Sequence, residues 1–453
     1  MNGNNVYDVT KWRAGNPYED IGEVINSILA DVKSRQTAAD VNEGGKPGAV
    51  IYLPPGDYHL KTQVVIDISY LKIAGSGHGF TSSSIRFNIP EKEWAGCHEL
   101  WPGGSRVLVD LPPAPEGDEG KGAAFYVSRS GNPRISSVEF SGFCIDGLHF
   151  TDDGSGEANP ENTYTNGKTG IYIASAHDSF RITGMGLVYL EHGITACHAD
   201  ALSIHDNFIA ECGSCIELRG WGQASKITDN LIGAGYKGYS IYAENFGALL
   251  ITANNIFPRG ASSVFFENVT RSIVTGNRFH SFYPGMLVLR GMCSENMVSA
   301  NHFLRDHEPW PPMYAHDNGL DDLYGLLYLE GNHNTVTANH ISEVIHARYI
   351  KPAGAVPVII HLASGKGNFI SGNHVAALKG EEETPEDQAG SCFSMQVDAL
   401  LYVREPEEFA VTTVLAEKEA VQNTVLDSGS DPQVVMDKRA NAFRPTPGFE
   451  PVQ

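Results

Sequence analysis

Apolar residues recur along this chain in short runs closed by asparagine or glycine, and the runs themselves repeat. The segments SIHDNFI (203–209), ITDNLI (227–232), ITANNIF (251–257), IVTGNRF (273–279), MVSANHF (297–303), VTANHI (336–341) and FISGNHV (369–375) share one pattern. Each has an apolar residue at its start (Ile204, after Ser203, in the first), then small or polar residues, an asparagine and a further apolar residue. Aligning Asn207, Asn230, Asn255, Asn277, Asn301, Asn339 and Asn373 gives spacings of 23, 25, 22, 24, 38 and 34 residues. The last two spacings read as one repeat plus an inserted loop. A period of 22–25 residues made of short strands and Asn/Gly turns predicts an all-β, right-handed parallel β-helix. One coil cannot bury its own apolar face, so coils must stack. Asparagine at a fixed turn position can enter the left-handed region and ladder its amide with the coils above and below. The Leu-x-x-Leu-x-Leu frame of leucine-rich repeats is missing, and propeller blades run to about 40 residues or more.

One segment follows a different period. Residues 19–35 place Ile21, Val24, Ile25, Ile28, Leu29 and Val32 on one helical face. This helix is expected to cap the N-terminal end of the solenoid, whose first coil would otherwise expose its apolar interior. A short apolar strand follows over 48–58, ending in a Pro-Gly turn. The predicted division is a cap over 1–60, a β-helix over 61–430 and an extended tail over 431–453. Two inserts interrupt the repeat, at 304–323 (rich in Pro, Trp, His and Asp) and at 380–410, which carries an acidic run. The second insert is expected to act as a lid, since long loops on a rigid scaffold often carry that work.

Composition narrows the partners. The chain has 453 residues and a formal net charge of −22, which argues against nucleic acid and against an anionic membrane surface. No apolar run reaches the ~18 residues needed to span a bilayer. The first residues lack the basic patch and apolar stretch of a signal peptide, so a cytoplasmic location is expected, or a secreted one if a leader has been trimmed. The seven cysteines (97, 144, 197, 212, 215, 293 and 392) read as reduced and mostly buried. Cys212 and Cys215 form a lone C-x-x-C without the two further ligands a zinc site needs.

Phosphate loops, dinucleotide fingerprints, His-Glu-x-x-His and Gly-x-Ser-x-Gly elbows are all missing. Carboxylates inside the repeat are the remaining clue. Segment 203–218 carries Asp206, Glu211 and Glu217. Glu217 lies between Ile216 and Leu218, so strand alternation points it outward. Asp206 directly precedes Asn207 on the same coil. Glycosidic chemistry uses such a pair, one acid to protonate the leaving oxygen and one to act from the other side. Acids at solenoid turns also commonly cap backbone amides, and Asp229 repeats the position of Asp206 one coil later. Glu244, Glu267 and Glu330 read as stacked surface acids, and His205 with the Asn-His pairs at 302, 340 and 374 as polar turn groups.

Seven motifs then carry a family resemblance. They are VYDVTKW (6–12), YLPPGDY (52–58), GMGLVYLEH (184–192), IAECGSCIE (209–217), FYPGM (282–286), NGLDDLYG (318–325) and VLDSG (425–429). Together the chain resembles the inulin fructotransferases and difructose anhydride III hydrolases of glycoside hydrolase family 91. The resemblance implies a β-helical trimer with active sites at subunit interfaces and no cofactor or metal. It implies a fructose disaccharide or fructan as substrate. The family's Asp and Glu, eleven residues apart, fall on Asp206 and Glu217. Lys168, Asp200, Glu211, Arg290, Asp321 and Asp322 are candidates for binding substrate. Two reactions share the scaffold: hydrolysis of the dianhydride to inulobiose, and its release from inulin by intramolecular fructosyl transfer. The lack of a visible leader favours the hydrolase, because inulin is met outside the cell. A polyuronate lyase fits the negative charge poorly, and a non-catalytic sugar-binding solenoid is the remaining alternative.

Overall fold

The computed structural model describes residues 5–35, 48–79, 91–94, 103–131, 133–148, 165–175, 177–234, 238–257, 261–306, 318–346, 356–381, 404–426 and 434–444. The chain forms two compact units, residues 1–233 and 234–453. Each is wound as a right-handed parallel β-helix, with three strands and three corners per coil.

In the first unit the first sheet contains Val6–Asp8, Ala49–Leu53, Leu71–Gly75, Val138–Ser141, Arg181–Thr183, Ser203–His205 and Lys226–Thr228. The second contains Gly56–Leu60, Ser105–Val109, Cys144–Asp146, Gly186–Val188 and Phe208–Cys212. The third contains Val64–Ile66, Ala123–Val127, Thr169–Ile173, His192–Cys197 and Ser214–Arg219. Registers are in phase, so one apolar column stacks on the next. Phe125, Ile171, Ile194 and Ile216 are aligned and fully buried. The second unit repeats this plan from Tyr239–Glu244 onward, and Phe279 and Phe303 stack inside it at 4.6 Å.

The helix spans Ile21–Arg35, two residues shorter than the apolar pattern predicted. Its six patterned apolar residues are buried, and it packs on Ala49–Leu53, Gly56–Leu60 and Val64–Ile66, one strand from each sheet. Asp20 begins it: Oδ1 accepts the Gly22 amide at 3.0 Å, and Oδ2 accepts the Thr62 hydroxyl at 2.6 Å. The predicted boundaries move at both ends. Val6–Asp8 already pairs with Ala49–Leu53, so the region assigned to the cap carries solenoid strands. Residues 48–58 are two strands turning a corner at Pro54-Pro55, not one. Within the predicted tail, Val434–Val435 and Ala442–Arg444 add further parallel pairs. Strand His302–Asp306 runs into the first insert, and residues 307–317 lie outside the described residues. The second insert begins as an antiparallel pair, His374–Glu381 with Arg404–Glu408. Residues 382–403 lie outside the described residues, so the expected lid falls largely there.

The asparagine ladder forms, with one member moved. Asn254, not Asn255, carries it: Asn254 is buried and donates to Asn277 Oδ1 at 2.9 Å. Asn255 opens the next strand, exposed, and accepts from Arg278 at 3.2 Å. The left-handed residue is the one before each ladder asparagine, including Asp206 (φ 57°), Asp229 (φ 57°), Ala300 (φ 54°) and Gly372 (φ 58°). A second ladder at another corner runs through Asn296, Asn334, Asn368, Asn423 and Asn441. Asn301 shows what a rung does. Its side-chain amide donates to Asn339 Oδ1 at 3.0 Å and to the Val274 carbonyl at 2.9 Å, while its Oδ1 accepts from Asn277 at 3.0 Å. Asn301→Ala leaves those buried groups unpaired and is expected to cost about 1–3 kcal/mol. A fall in urea midpoint at constant slope measures it; an unchanged midpoint would show the rung to be dispensable.

Candidate active site around Glu217

Glu217 occupies the outward column of the third sheet, in register with Thr195, Tyr172 and Tyr126. Alternation places it there because Ile216 and Leu218 fill the interior. It is nevertheless only 4% exposed. The cover is a 3-10 turn, Glu119–Gly122, anchored by Gln63 donating to the Gly120 carbonyl at 2.7 Å. Gly120 rests on the Tyr126 ring, where a Cβ would come within 2.9 Å.

Three side chains contact Glu217. His192 Nδ1 donates to Oε2 at 2.5 Å, and Arg219 donates to Oε1 at 2.8 Å. The Thr195 hydroxyl reaches Oε2 at 3.4 Å. Arg219 also donates to Glu119 at 2.7 Å, and His192 Nε2 lies 3.7 Å from both Glu119 and Glu191. Glu191 in turn accepts the Gly167 amide at 2.7 Å. Burial alone would raise the Glu217 carboxyl, but His192 and Arg219 outweigh it and hold the group at about 2. Burial works against charge on His192, yet Glu217, Glu119 and Glu191 raise it above the ordinary imidazole range. Each partner therefore favours the charged form of the other.

This fixes how stability should depend on pH. A depressed carboxyl stabilises above its unfolded pKa, and that contribution is lost from about 4.3 downward toward 2. A raised imidazole stabilises below about 6.5, and its contribution is lost as pH climbs through the raised value. The stability gap between the wild type and His192→Asn should therefore be widest between about pH 4.5 and 6.5. Urea midpoints across pH measure this; a gap independent of pH would refute the ion pair.

Among the described residues, Glu119, His192 and Glu217 are the one group of potential metal ligands, with donor atoms within 4.8 Å of one another. They do not fit a resident cation. Arg219 already bonds both carboxylates, and an ion would have to displace it beside a charged imidazole. Cys144, Cys212, Cys215 and Cys293 are buried free thiols, and burial pushes Cys293 up to about 11.

The other candidates fall in several places. Asp206 lies at the corner between the first and second sheets, with its side chain 68% exposed and His205 Nδ1 at 3.1 Å. The strand Phe208–Cys212 separates that corner from the one leading to Glu217, and five residues span about 16 Å. One coil thus holds the two acids apart rather than facing each other. His205 also borders a groove of about 710 Å³ on the first sheet, lined by Glu139, Arg181, Ser203 and Lys226. Lys168 is buried one turn from His192, and its Nζ donates to the Gly147 carbonyl at 2.7 Å. Asp200 caps its own turn through the Ala201 amide at 2.8 Å, and Glu211 is buried on the second sheet.

In the second unit Arg290 continues the column of Glu244 and Glu267, whose carboxylates accept from Tyr242 at 3.1 Å. Asp321 caps the turn through the Leu323 amide at 3.0 Å, and Asp322 accepts from the buried Arg305 at 3.1 Å. His302, His340 and His374 sit on strands rather than in turns, with rings 5.1 and 4.9 Å apart.

Comparisons with known proteins match this architecture. A family model described as the beta helix repeat of inulin fructotransferase matches residues 300–447, and one described as periplasmic copper-binding protein (NosD) matches residues 120–309. The chain is 45% identical over 380 residues to an inulin fructotransferase [DFA-I-forming] of Arthrobacter globiformis, covering 83% of this chain and 90% of that one. The chain belongs to the inulin fructotransferase family, glycoside hydrolase family 91. Among solved structures of this kind, DFA-IIIase from Arthrobacter chlorophenolicus A6 in complex with DFA-III is 68% identical, with a TM-score of 0.89. The match covers 99% of this chain and 100% of that one. The same enzyme without its lid, in complex with GF2, is 64% identical with a TM-score of 0.85 over 99% and 100% of the two chains.

Proposed function

We propose that this family member hydrolyses DFA-III, difructose anhydride III, to inulobiose. The full-length match to a DFA-IIIase that binds DFA-III carries this reading. The dry, cation-flanked carboxyl at Glu217 supplies chemistry to go with it. Glu217 gives a proton to the leaving glycosidic oxygen as the anomeric C–O bond breaks. Water then adds to the anomeric carbon and returns its proton to the same group. Asp206 stabilises the oxocarbenium-like transition state.

Asp206 sits at one corner of the coil and Glu217 on the third sheet, a strand apart, which supports a site completed by a second copy of the chain. Asp206 from one subunit faces Glu217 of another within a trimer. This assembly is tested by mixing variants. Asp206→Asn and Glu217→Gln chains are each inactive alone, and co-assembled they regain roughly a quarter of the sites, those joining the two intact residues. No regain on mixing, or a strict monomer by light scattering, would refute the shared site.

The 45% identity to a DFA-I-forming fructotransferase supports a second reading, dianhydride release from inulin. Parallel incubations with inulin and with DFA-III, followed by chromatography, separate the two. Inulobiose from DFA-III with inulin untouched supports the hydrolase. Dianhydride released from inulin supports the transferase, and no change in either refutes both.

A further inference from the structure

We propose that His192 is a positioning residue that stores the proton Glu217 delivers. This rests on the hydrolase reading of the site. An acid catalyst must carry a proton, yet both oxygens of Glu217 are engaged by cations, Oε1 by Arg219 at 2.8 Å and Oε2 by His192 at 2.5 Å. Arg219 does not give up its proton in proteins, and the Thr195 hydroxyl is far too weak an acid. The proton on His192 Nδ1 is the one within reach that can leave.

The surroundings of the imidazole serve that role. His192 opens its strand, with its backbone amide donating to the Lys168 carbonyl at 3.1 Å. The groups facing it are Glu217 and Arg219 from the next coil, Glu119 from the covering turn, and Glu191 and Lys168 from flanking corners. Lys168 turns its ammonium away to the Gly147 carbonyl, so carboxylates dominate around the ring. The side chain is 13% exposed, which keeps the proton from exchanging freely with bulk water. Glu119 and Glu191 face Nε2, leaving Nδ1 for Glu217.

The step balances without any further reagent. The Nδ1–H bond breaks and a carboxyl O–H bond forms on Glu217, leaving neutral imidazole. That O–H breaks as the leaving oxygen is protonated and the anomeric C–O bond opens. Water forms the new C–O bond, and its proton passes back through Glu217 to Nδ1. Holding the proton on His192 lets a carboxyl that would be ionised by itself act as an acid near neutral pH.

The pH dependence of kcat/KM for DFA-III tests this, because a merely structural histidine would not move it. In the wild type the alkaline limb reports loss of the proton from the His192–Glu217 pair. In Glu119→Gln one carboxylate facing Nε2 is gone, and the limb should shift toward acid by about half a pH unit or more, whatever the plateau height. In His192→Asn the limb should fall below the ordinary imidazole range. Turnover at neutral pH should then drop by on the order of a hundredfold, with KM within about threefold. Limbs coinciding with the wild type in both variants would overturn the proton store while leaving the hydrolase reading intact. Should His192→Asn fail to fold, Glu119→Gln decides alone. A wild type that leaves DFA-III untouched at every pH overturns the hydrolase reading itself.

Discussion

Glu217→Gln is expected to reduce DFA-III turnover by at least about a thousandfold, with a much smaller change in KM. The amide matches the carboxylate in size, so the column Tyr172, Thr195, Glu217 keeps its packing. What is lost is the group proposed to pass a proton to the leaving oxygen. The amide also removes the carboxylate that pairs directly with both His192 and Arg219, leaving Glu119 as the anion they share, so some loss of stability should accompany the loss of rate. Kinetics on protein shown folded by circular dichroism separate the two effects. A variant within tenfold of wild type would remove Glu217 from the chemistry and return it to a covered surface acid. The expected kcat effect exceeds that of any neighbour, because in the proposed mechanism His192, Arg219 and Glu119 act only through this carboxyl.

Arg305→Met should be the most damaging single change to the fold. Arg305 lies on the inward side of its strand, two residues after Phe303, and is fully buried. Its guanidinium grips Glu343 with Nε at 2.8 Å from Oε2 and a terminal nitrogen on Oε1, and donates to Asp322 Oδ1 at 3.1 Å. Glu343 is itself fully buried and in direct register with Arg305. Two charges inside a solenoid cost desolvation that only mutual pairing offsets. Removing the cation strands a buried anion, for an expected loss of about 3–5 kcal/mol. The double variant Arg305→Met, Glu343→Leu should recover most of it, because an apolar pair of similar volume incurs no such desolvation. Urea midpoints for the single and double variants decide the matter. A double variant as unstable as the single would show that the pair contributes through shape rather than charge. The same contacts tie the turn at Asp321–Tyr324 to the second sheet through Asp322.

The repeat made the fold legible. Any solenoid coil must place the same residue types at the same corner, so the asparagine period wrote the architecture into the sequence. The choice between Asn254 and Asn255 was not legible, since both are asparagine and only the corner geometry separates them. The second ladder had a readable signal. Asn296, Asn334 and Asn368 each precede a first-ladder asparagine by five residues, a spacing set by one short strand. The inward Arg305 and Glu343 gave no such warning, because alternation marks a side and assumes that the inner side is apolar.

For the site, the sequence by itself determined that Glu217 points out of the third sheet and that Arg219, two residues on, shares its side. Both follow from a strand period of two between buried Ile216 and Leu218. Only the tertiary structure decided what covers Glu217. Stacking the coils brings His192 beside it from one coil away, and the turn at Glu119 arrives from far earlier in the chain. It also decided that Asp206 and Glu217, eleven residues apart, stand at a corner and on the third sheet with a strand between them, because a coil bends at every corner and a spacing does not record the bend. Charge state follows the same division. Composition supplied the acids, but ionisation at Glu217 is set by two cations that only packing could bring to it.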